Sequence, residues 1–394
     1  MKKKTERKEN QSSTADWSAL PMELVSLISQ FIDNEIDLIR FRSICSNWRS
    51  SSIPNHHLQT SPIKFPLVYD SGNYHSSEKE IIDSLNNTNS PLCYLSKRTL
   101  VLVKPPQHGK TLIRRRPWLI RVTQNSHGKT KFFNPVISYR RPQEQTPIPP
   151  HVLDFNKLSI LYLGTDFIID EDKYPKTVLA VMCHGKNPLL LCRLSHCSNR
   201  PMMIFRGLNE QWTLISRWSY KYGDICLFKG SIYAVNQSGE TVTVGPDSSV
   251  ELAAQPLDPG IPGLNKMLVE SEGRLLLLAI HEIFYCFSID FFKLDEKEKK
   301  WMRLMDFDEK EKKWVKLRHF GDRIFFIGRG CSFSASASDL CIPKGNCVVF
   351  IDESVLCIDN MFHQKRVFHL DQNQLSGGAK YLNLFLPPKW IHNI

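Results

Sequence analysis

The sequence predicts an α+β chain in which a small helical module precedes a large all-β domain. Apolar residues with helical spacing crowd the stretch 16–54, and short β-branched and aromatic runs between turn residues fill the chain beyond residue 96. Long helical patterns are missing from that second part. With 394 residues, 42% hydrophobic and 23% charged, the chain has the composition of a globular protein and the length for one small and one large domain.

Residues 1–15 form a polar tail. The first ten, MKKKTERKEN, carry five basic and two acidic side chains, so the tail is expected to be disordered, serving as a solubilising end or a nuclear-import signal. No apolar stretch follows it as a secretory signal requires, and the run Leu275 to Ile280 is far short of the ~20 residues that span a bilayer. A soluble, intracellular protein of the nucleus or cytoplasm is expected. The eleven cysteines are spread without dense spacing and read as reduced thiols. The net charge of +11 favours an acidic partner surface of some kind.

In 16–54, Leu24, Leu27, Ile28, Phe31 and Ile32 recur three and four apart and lie on one helical face. Ser18 can cap this helix, and Pro21 suits its first turn, where its missing amide has no intrahelical acceptor anyway. A polar break at 33–35 separates a second stripe, Leu38, Phe41, Ile44, Cys45 and Trp48, and Pro54 closes the module. About forty residues bury too little surface to be firmly stable alone, so the stripes need a further partner surface. That surface is either another protein or the large domain of the same chain.

The ordered set Leu20-Pro21, Glu23-Leu24, Leu38, Phe41-Arg42-Ser43-Ile44-Cys45 and Trp48-Arg49 resembles the F-box through the whole motif. The resemblance implies a three-helix bundle that inserts into a Skp-type adaptor. Carried onto this sequence, it makes Leu20, Pro21, Leu24, Ile28, Ile44, Cys45 and Trp48 the expected adaptor-binding residues.

Residues 55–95, rich in Ser, Asn, His and Pro, are expected to be linker or irregular surface. From 96 to 394 the strand-like runs include Leu100 to Val103, Trp118 to Val122, Val178 to Met182, Leu189 to Leu191, Ile225 to Phe228, Ser231 to Val235, Thr241 to Val244, Leu275 to Ile280, Ile324 to Ile327 and Cys347 to Ile351. Lys229-Gly230 and Ser238-Gly239 sit where tight hairpins need positive φ. So many short strands exceed a simple sandwich, and radial repetition as a β-propeller is the expected architecture.

This half also resembles the large plant family in which an F-box precedes a β-propeller-like domain of unknown function. Carrying the likeness are Trp118-Leu119-Ile120, Asn134-Pro135, Gly223-Asp224-Ile225, Leu268 to Ser271, Gly321-Asp322-Arg323 to Gly328, Lys344 to Cys347, and Pro387-Pro388 with Trp390. One departure stands out: Asp295 to Trp301 recurs as Asp308 to Trp314, thirteen residues later, in a tandem duplication. A charged surface loop is the expected form of the extra copy, since loop insertions cost little closure entropy.

Enzymatic signatures are weak. His108-Gly109-Lys110-Thr111 and His127-Gly128-Lys129-Thr130 lack the earlier glycine of a phosphate-binding loop and read as turns. Cys183, His184, Cys192, His196 and Cys197 lack the paired spacing of a zinc site. No nucleophile motif occurs, and His281 or Asp322 can be named as acid or base only arbitrarily. Arg114-Arg115-Arg116-Pro117-Trp118 combines cations with an aromatic ring, but no nucleic-acid module surrounds it, so a basic turn leading into a strand is the expectation. No catalytic residue, metal or cofactor is assigned. The resemblance implies a non-catalytic substrate receptor of a Skp–cullin–F-box ubiquitin ligase, with a Skp-type adaptor, a cullin and a protein substrate as partners. Membrane and nucleic acid are not expected partners, and the substrate-binding residues are unknown. The alternatives are an F-box protein acting outside a cullin ligase and a ligand-binding propeller.

Overall fold

The computed structural model describes residues 17–32, 34–52, 63–66, 92–105, 116–124, 130–136, 155–169, 177–184, 187–194, 203–206, 211–214, 223–245, 249–258, 265–283, 286–308, 313–352, 355–356 and 365–393. Three helices open the chain: α1 (Met22–Gln30), α2 (Glu35–Arg42) and α3 (Ser46–Ser51). The second apolar stripe is therefore divided between two helices. Cys45 makes the break, because its extended backbone lets Sγ accept the Trp48 amide at 3.4 Å and cap α3.

Sheets follow. In the first, β2 (Leu92–Lys104) pairs with β1 (Ile63–Pro66), β3 (Trp118–Gln124) and β5 (Ser159–Ile169), and β4 (Thr130–Phe133) pairs with β3. Part of 55–95, expected as linker, is thus strand: Ile63 to Pro66 runs antiparallel to Leu92 to Leu95. Three antiparallel meanders come next: β6 (Thr177–His184) to β9 (Gln211–Leu214) through β7 (Asn187–Leu194) and β8 (Met203–Arg206); β10 (Asp224–Phe228), β11 (Ser231–Val235), β12 (Thr241–Val244) and β13 (Val250–Ala254); and β14 (Asn265–Ser271), β15 (Arg274–Ile283), β16 (Cys286–Asp295) and β17 (Lys300–Arg303). A hairpin, β18 (Met305–Asp308) and β19 (Lys313–Lys316), precedes the last sheet. That sheet has the order β21 (Phe333–Ser336), β20 (Arg323–Ile327), β22 (Cys347–Phe350), β23 (Lys365–His369), β24 (Gln374–Gly377), with β20 and β22 parallel.

The strands β5, β6, β10, β14 and β21 neighbour one another in turn, and β21 returns to β5. This closed ring of inner strands makes the domain a β-propeller, with each sheet radiating outward as a blade. Hairpin chemistry supports the blades locally. Lys229 and Gly230 both have positive φ, 48° and 79°, as a two-residue type I′ turn requires, and Glu272-Gly273 repeats the arrangement at 52° and 71°. Gly239, with φ 87°, sits so close to Leu257 that a Cβ would lie 2.6 Å from its Cγ.

The core lies between blades. Where the ring closes, Leu100, Leu102 and Leu119 of the first sheet pack with Phe326, Phe333 and Val349 of the last, and Lys104 bonds Asp339 at 2.6 Å across the same seam. The C-terminal segment, α4 (Ala379–Leu382) with the short turns after it, seals this seam through Leu384 and Phe385. Among the described residues no helix is long and apolar enough to cross a membrane.

The duplicated segment departs from expectation. Its first copy supplies the turn after Asp295 and the outer strand β17, whose Trp301 is buried and donates Nε1 to Thr241 Oγ1 at 2.9 Å. The second copy lies within a hairpin: Asp308 ends β18 and Lys313-Trp314 open β19, so the copy is flanked by paired strands. Arg303 and Lys316, each two residues beyond the tryptophan that ends its copy, bind one buried carboxylate: Arg303 Nη2 lies 2.8 Å from Asp290 Oδ2, and Lys316 Nζ 2.9 Å from Oδ1. A strand pair that supplies its own ion-pair anchor adds to a blade edge without disturbing the ring.

Candidate functional site

The helical module carries the most distinctive surface. In α1 the backbone bends into the helix at Pro21, so the N-cap position falls to Pro21, which brings no side-chain cap, and not to Ser18. Glu23 in the first turn complements the positive end of the helix. Val25 and Ser29 face inward, and α3 packs against both α1 and α2. In α2, Asn34 Oδ1 accepts the Ile36 amide at 2.8 Å as N-cap, and Arg40 and Arg42 suit the negative C-terminal end.

The opposite face of α1 has no cover within the described chain. Leu24, Leu27 and Ile28 on it are exposed and Phe31 is 77% exposed, while Trp17, Met22 and Ile44 are further exposed apolar residues of the module. Scattered surface apolar residues are ordinary, but seven large ones on a module of this size mark an interaction face. Burial of one such side chain contributes about 1.5–3 kcal/mol, so a few of them suffice for a firm complex.

The seven residues singled out in the sequence divide on this surface. Pro21, Leu24, Ile28 and Ile44 lie on it, and Leu20 is half-buried at its edge. Cys45 is half-buried and occupied in capping α3. Trp48, only 7% exposed, packs on Phe41 with ring centroids 4.4 Å apart and forms the core of the bundle behind the face. Leu27 and Phe31 belong to this face, and Trp17 and Met22 are exposed beside it in the chain, but none of the four was among the seven. Leu27 and Phe31 were legible from the helical spacing; Trp17 lies in a short turn ahead of α1, where no periodicity reveals it.

The second feature is polar and interior. Asp224, at the start of inner strand β10, is buried and accepts the Leu268 amide at 3.0 Å and the Gly330 amide at 2.9 Å, tying three sheets. Burial pushes its pKa up to about 6 against those bonds. Nearby, Asp166 of β5 pairs with Arg98 and Arg121, each at 2.8 Å. Burial drives the Cys331 thiol up to about 12, which leaves it protonated and unreactive at neutral pH. In the third meander, burial raises the pKa of Asp290, but hydrogen bonds from His281, Arg303 and Lys316 outweigh this and hold it well below the usual carboxylate range. Burial lowers Lys266 to about 8. These are ties between strands.

The other motifs find structural places. His281 bonds Asp290 at 3.0 Å, and Asp322 Oδ2 accepts the Ser338 amide at 3.0 Å. Trp118 is buried in the core, so it is not a surface partner for the neighbouring arginines; Arg114, Arg115 and both His-Gly-Lys-Thr segments, apart from Thr130 at the start of β4, lie outside the described residues. Cys183, His184 and Cys192 fall on β6 and β7, and His196 and Cys197 lie outside the description. Among the described residues no His, Cys, Asp and Glu group suited to a metal occurs.

Comparison with known proteins agrees with this division. Residues 92–373 match the model of the KIB1-4 beta-propeller family. The chain is 30% identical to F-box protein SKIP23 of Arabidopsis thaliana, over 95% of both chains. It is 27% identical to another F-box protein of that plant over 95% of both, and 24% identical to a putative F-box/kelch-repeat protein, covering 95% of this chain and 98% of the relative.

Proposed function

The chain belongs to the plant F-box proteins that carry a KIB1-4 β-propeller, and from that premise we propose that it is the substrate-recognition subunit of a Skp–cullin–F-box ubiquitin ligase. The observation that carries the proposal is the uncovered apolar face of α1, extended by Trp17, Phe31 and Ile44, on a module too small to need such a face for its own core. A Skp-type adaptor covers it, with Leu20, Pro21, Leu24, Ile28 and Ile44 in the contact and Cys45 and Trp48 shaping it from behind. The adaptor brings a cullin, and the propeller presents a surface to a protein substrate.

The chain's contribution to ubiquitin transfer is proximity. Two binding modules on one chain raise the effective concentration of a substrate lysine near the charged conjugating enzyme, and no group on this chain takes part in the chemistry. The buried Asp224 and Asp290 clusters are committed to ties between strands. The nucleus or cytoplasm is the expected place of action, with the basic tail favouring the nucleus.

Affinity purification of the tagged chain from plant cells tests this reading. The intact chain is expected to recover adaptor and cullin, and replacement of Leu20 and Pro21 by alanine is expected to lose both. Equal recovery with the double variant would refute the docking assignment.

A further inference from the structure

The two ends of the chain meet on the first blade, and we propose that this junction is a lock that fixes the direction in which the adaptor-binding face points away from the propeller. What the lock is for rests on the reading above; its existence does not. Ile36 of α2 is 2% exposed and is buried against Trp118 and Ile120 of β3 together with Trp390 and Ile391 from the C-terminus. The helical module thus shares a core with the blade. A tethered module that swivelled on its linker would keep a core of its own.

Polar contacts set the angle. The Arg40 guanidinium donates Nε to the Phe155 carbonyl at 3.3 Å and Nη2 to the Leu158 carbonyl at 3.0 Å, while Nη1 pairs with Asp37 at 3.1 Å. These are two carbonyls of the short turn entering β5, so one planar side chain orients α2 against an inner strand. Asn156 in that turn donates to Ser43 Oγ at 2.9 Å. The C-terminal wedge is itself anchored, since Trp390 Nε1 donates to the Arg116 carbonyl at 2.7 Å. Pro387-Pro388 with Trp390, a motif without a role in either docking surface, thereby acquires one: it delivers the wedge.

With the lock closed, the separation and angle between adaptor and propeller-bound substrate are built into the fold. A loose junction would lower the effective concentration by spreading the propeller over a wide volume.

A thiol trap across the junction tests the proposal. The full-length chain carrying Ser43→Cys and Asn156→Cys is oxidised, and the 43–156 disulfide is followed by peptide mass mapping, which separates it from bridges to the native Cys45. Fast, near-complete bridging is expected, with adaptor binding unchanged in the bridged form. Adding Arg40→Ala, or separately Trp390→Leu, is expected to slow bridging about tenfold while the propeller still melts cooperatively. Slow bridging in the double-cysteine parent, or a rate indifferent to both additions, would overturn the lock. Adaptor binding absent from every form, with the bridging pattern intact, would instead count against the docking reading and leave the lock standing.

Discussion

Asp224 shows what a single buried carboxylate does to this fold. Both of its oxygens are used by backbone amides of other sheets, yet burial still leaves its pKa near 6 against an ordinary 3.8. Between those values the folded chain holds a proton that the unfolded chain has lost, so stability falls as pH rises from 3.8 to 6 and is flat above. The slope amounts to about 3 kcal/mol across the window. Asp290 acts in the opposite sense and elsewhere: its depressed pKa contributes stability that disappears as pH drops below the ordinary carboxylate range. Urea unfolding at intervals from pH 4 to 7 is expected to show the decline, and Asp224→Asn to abolish it; an unchanged slope would remove Asp224 as its source. At the helical module the contrast is between Trp48 and Ile28. Trp48→Ala is expected to cost about 3–5 kcal/mol because it empties the bundle core, whereas Ile28→Ser is expected to shift unfolding by no more than about 0.5 kcal/mol.

The duplicated segment is the clearest case at the scale of elements. Sequence shows a lysine and glutamate segment repeated thirteen residues on that reads as solvated loop, yet the second copy joins β18 to β19, and Lys316, two residues beyond it, reaches back to the blade. The signal was the matching place of Arg303 and Lys316, each two residues after its copy; its meaning depended on Asp290, which lies on β16, outside the repeat. Lys316→Ala is expected to raise hydrogen exchange over the hairpin and leave β14 to β16 protected. Uniform loss of protection over the whole blade would contradict a locally docked hairpin. Two of the inner strands, β14 and β21, were harder to read for a related reason. Residues near the ring pack closely and use Asn265, Ser271, Ser334 and Ser336, which look like loop composition, while the aliphatic runs of β3, β15 and β20 are plain in the sequence.

For the whole molecule, the division into a helical module and a propeller was legible because each has its own hydrophobic period, and the F-box motif identified the module's family. What periodicity could not supply is the junction between them. Ile36 falls just after the polar break and in neither apolar stripe, and Trp390 in a proline-rich ending, yet both lie in the core of the first blade. Contacts between distant parts of a chain leave no local trace. The same limit applies to the docking face: spacing placed Leu24 and Ile28 on one side of a helix, but only the packing of α3 against α1 and α2 shows that this side stays open while Trp48 closes the other. Titration of a purified Skp-type adaptor into the full-length chain tests that assignment most directly. Leu24→Arg with Ile28→Arg is expected to weaken binding at least about a hundredfold with unfolding unchanged, since two anchors are lost from a hot-spot face. Wild-type affinity in that variant would contradict the assignment of the α1 face as the adaptor site.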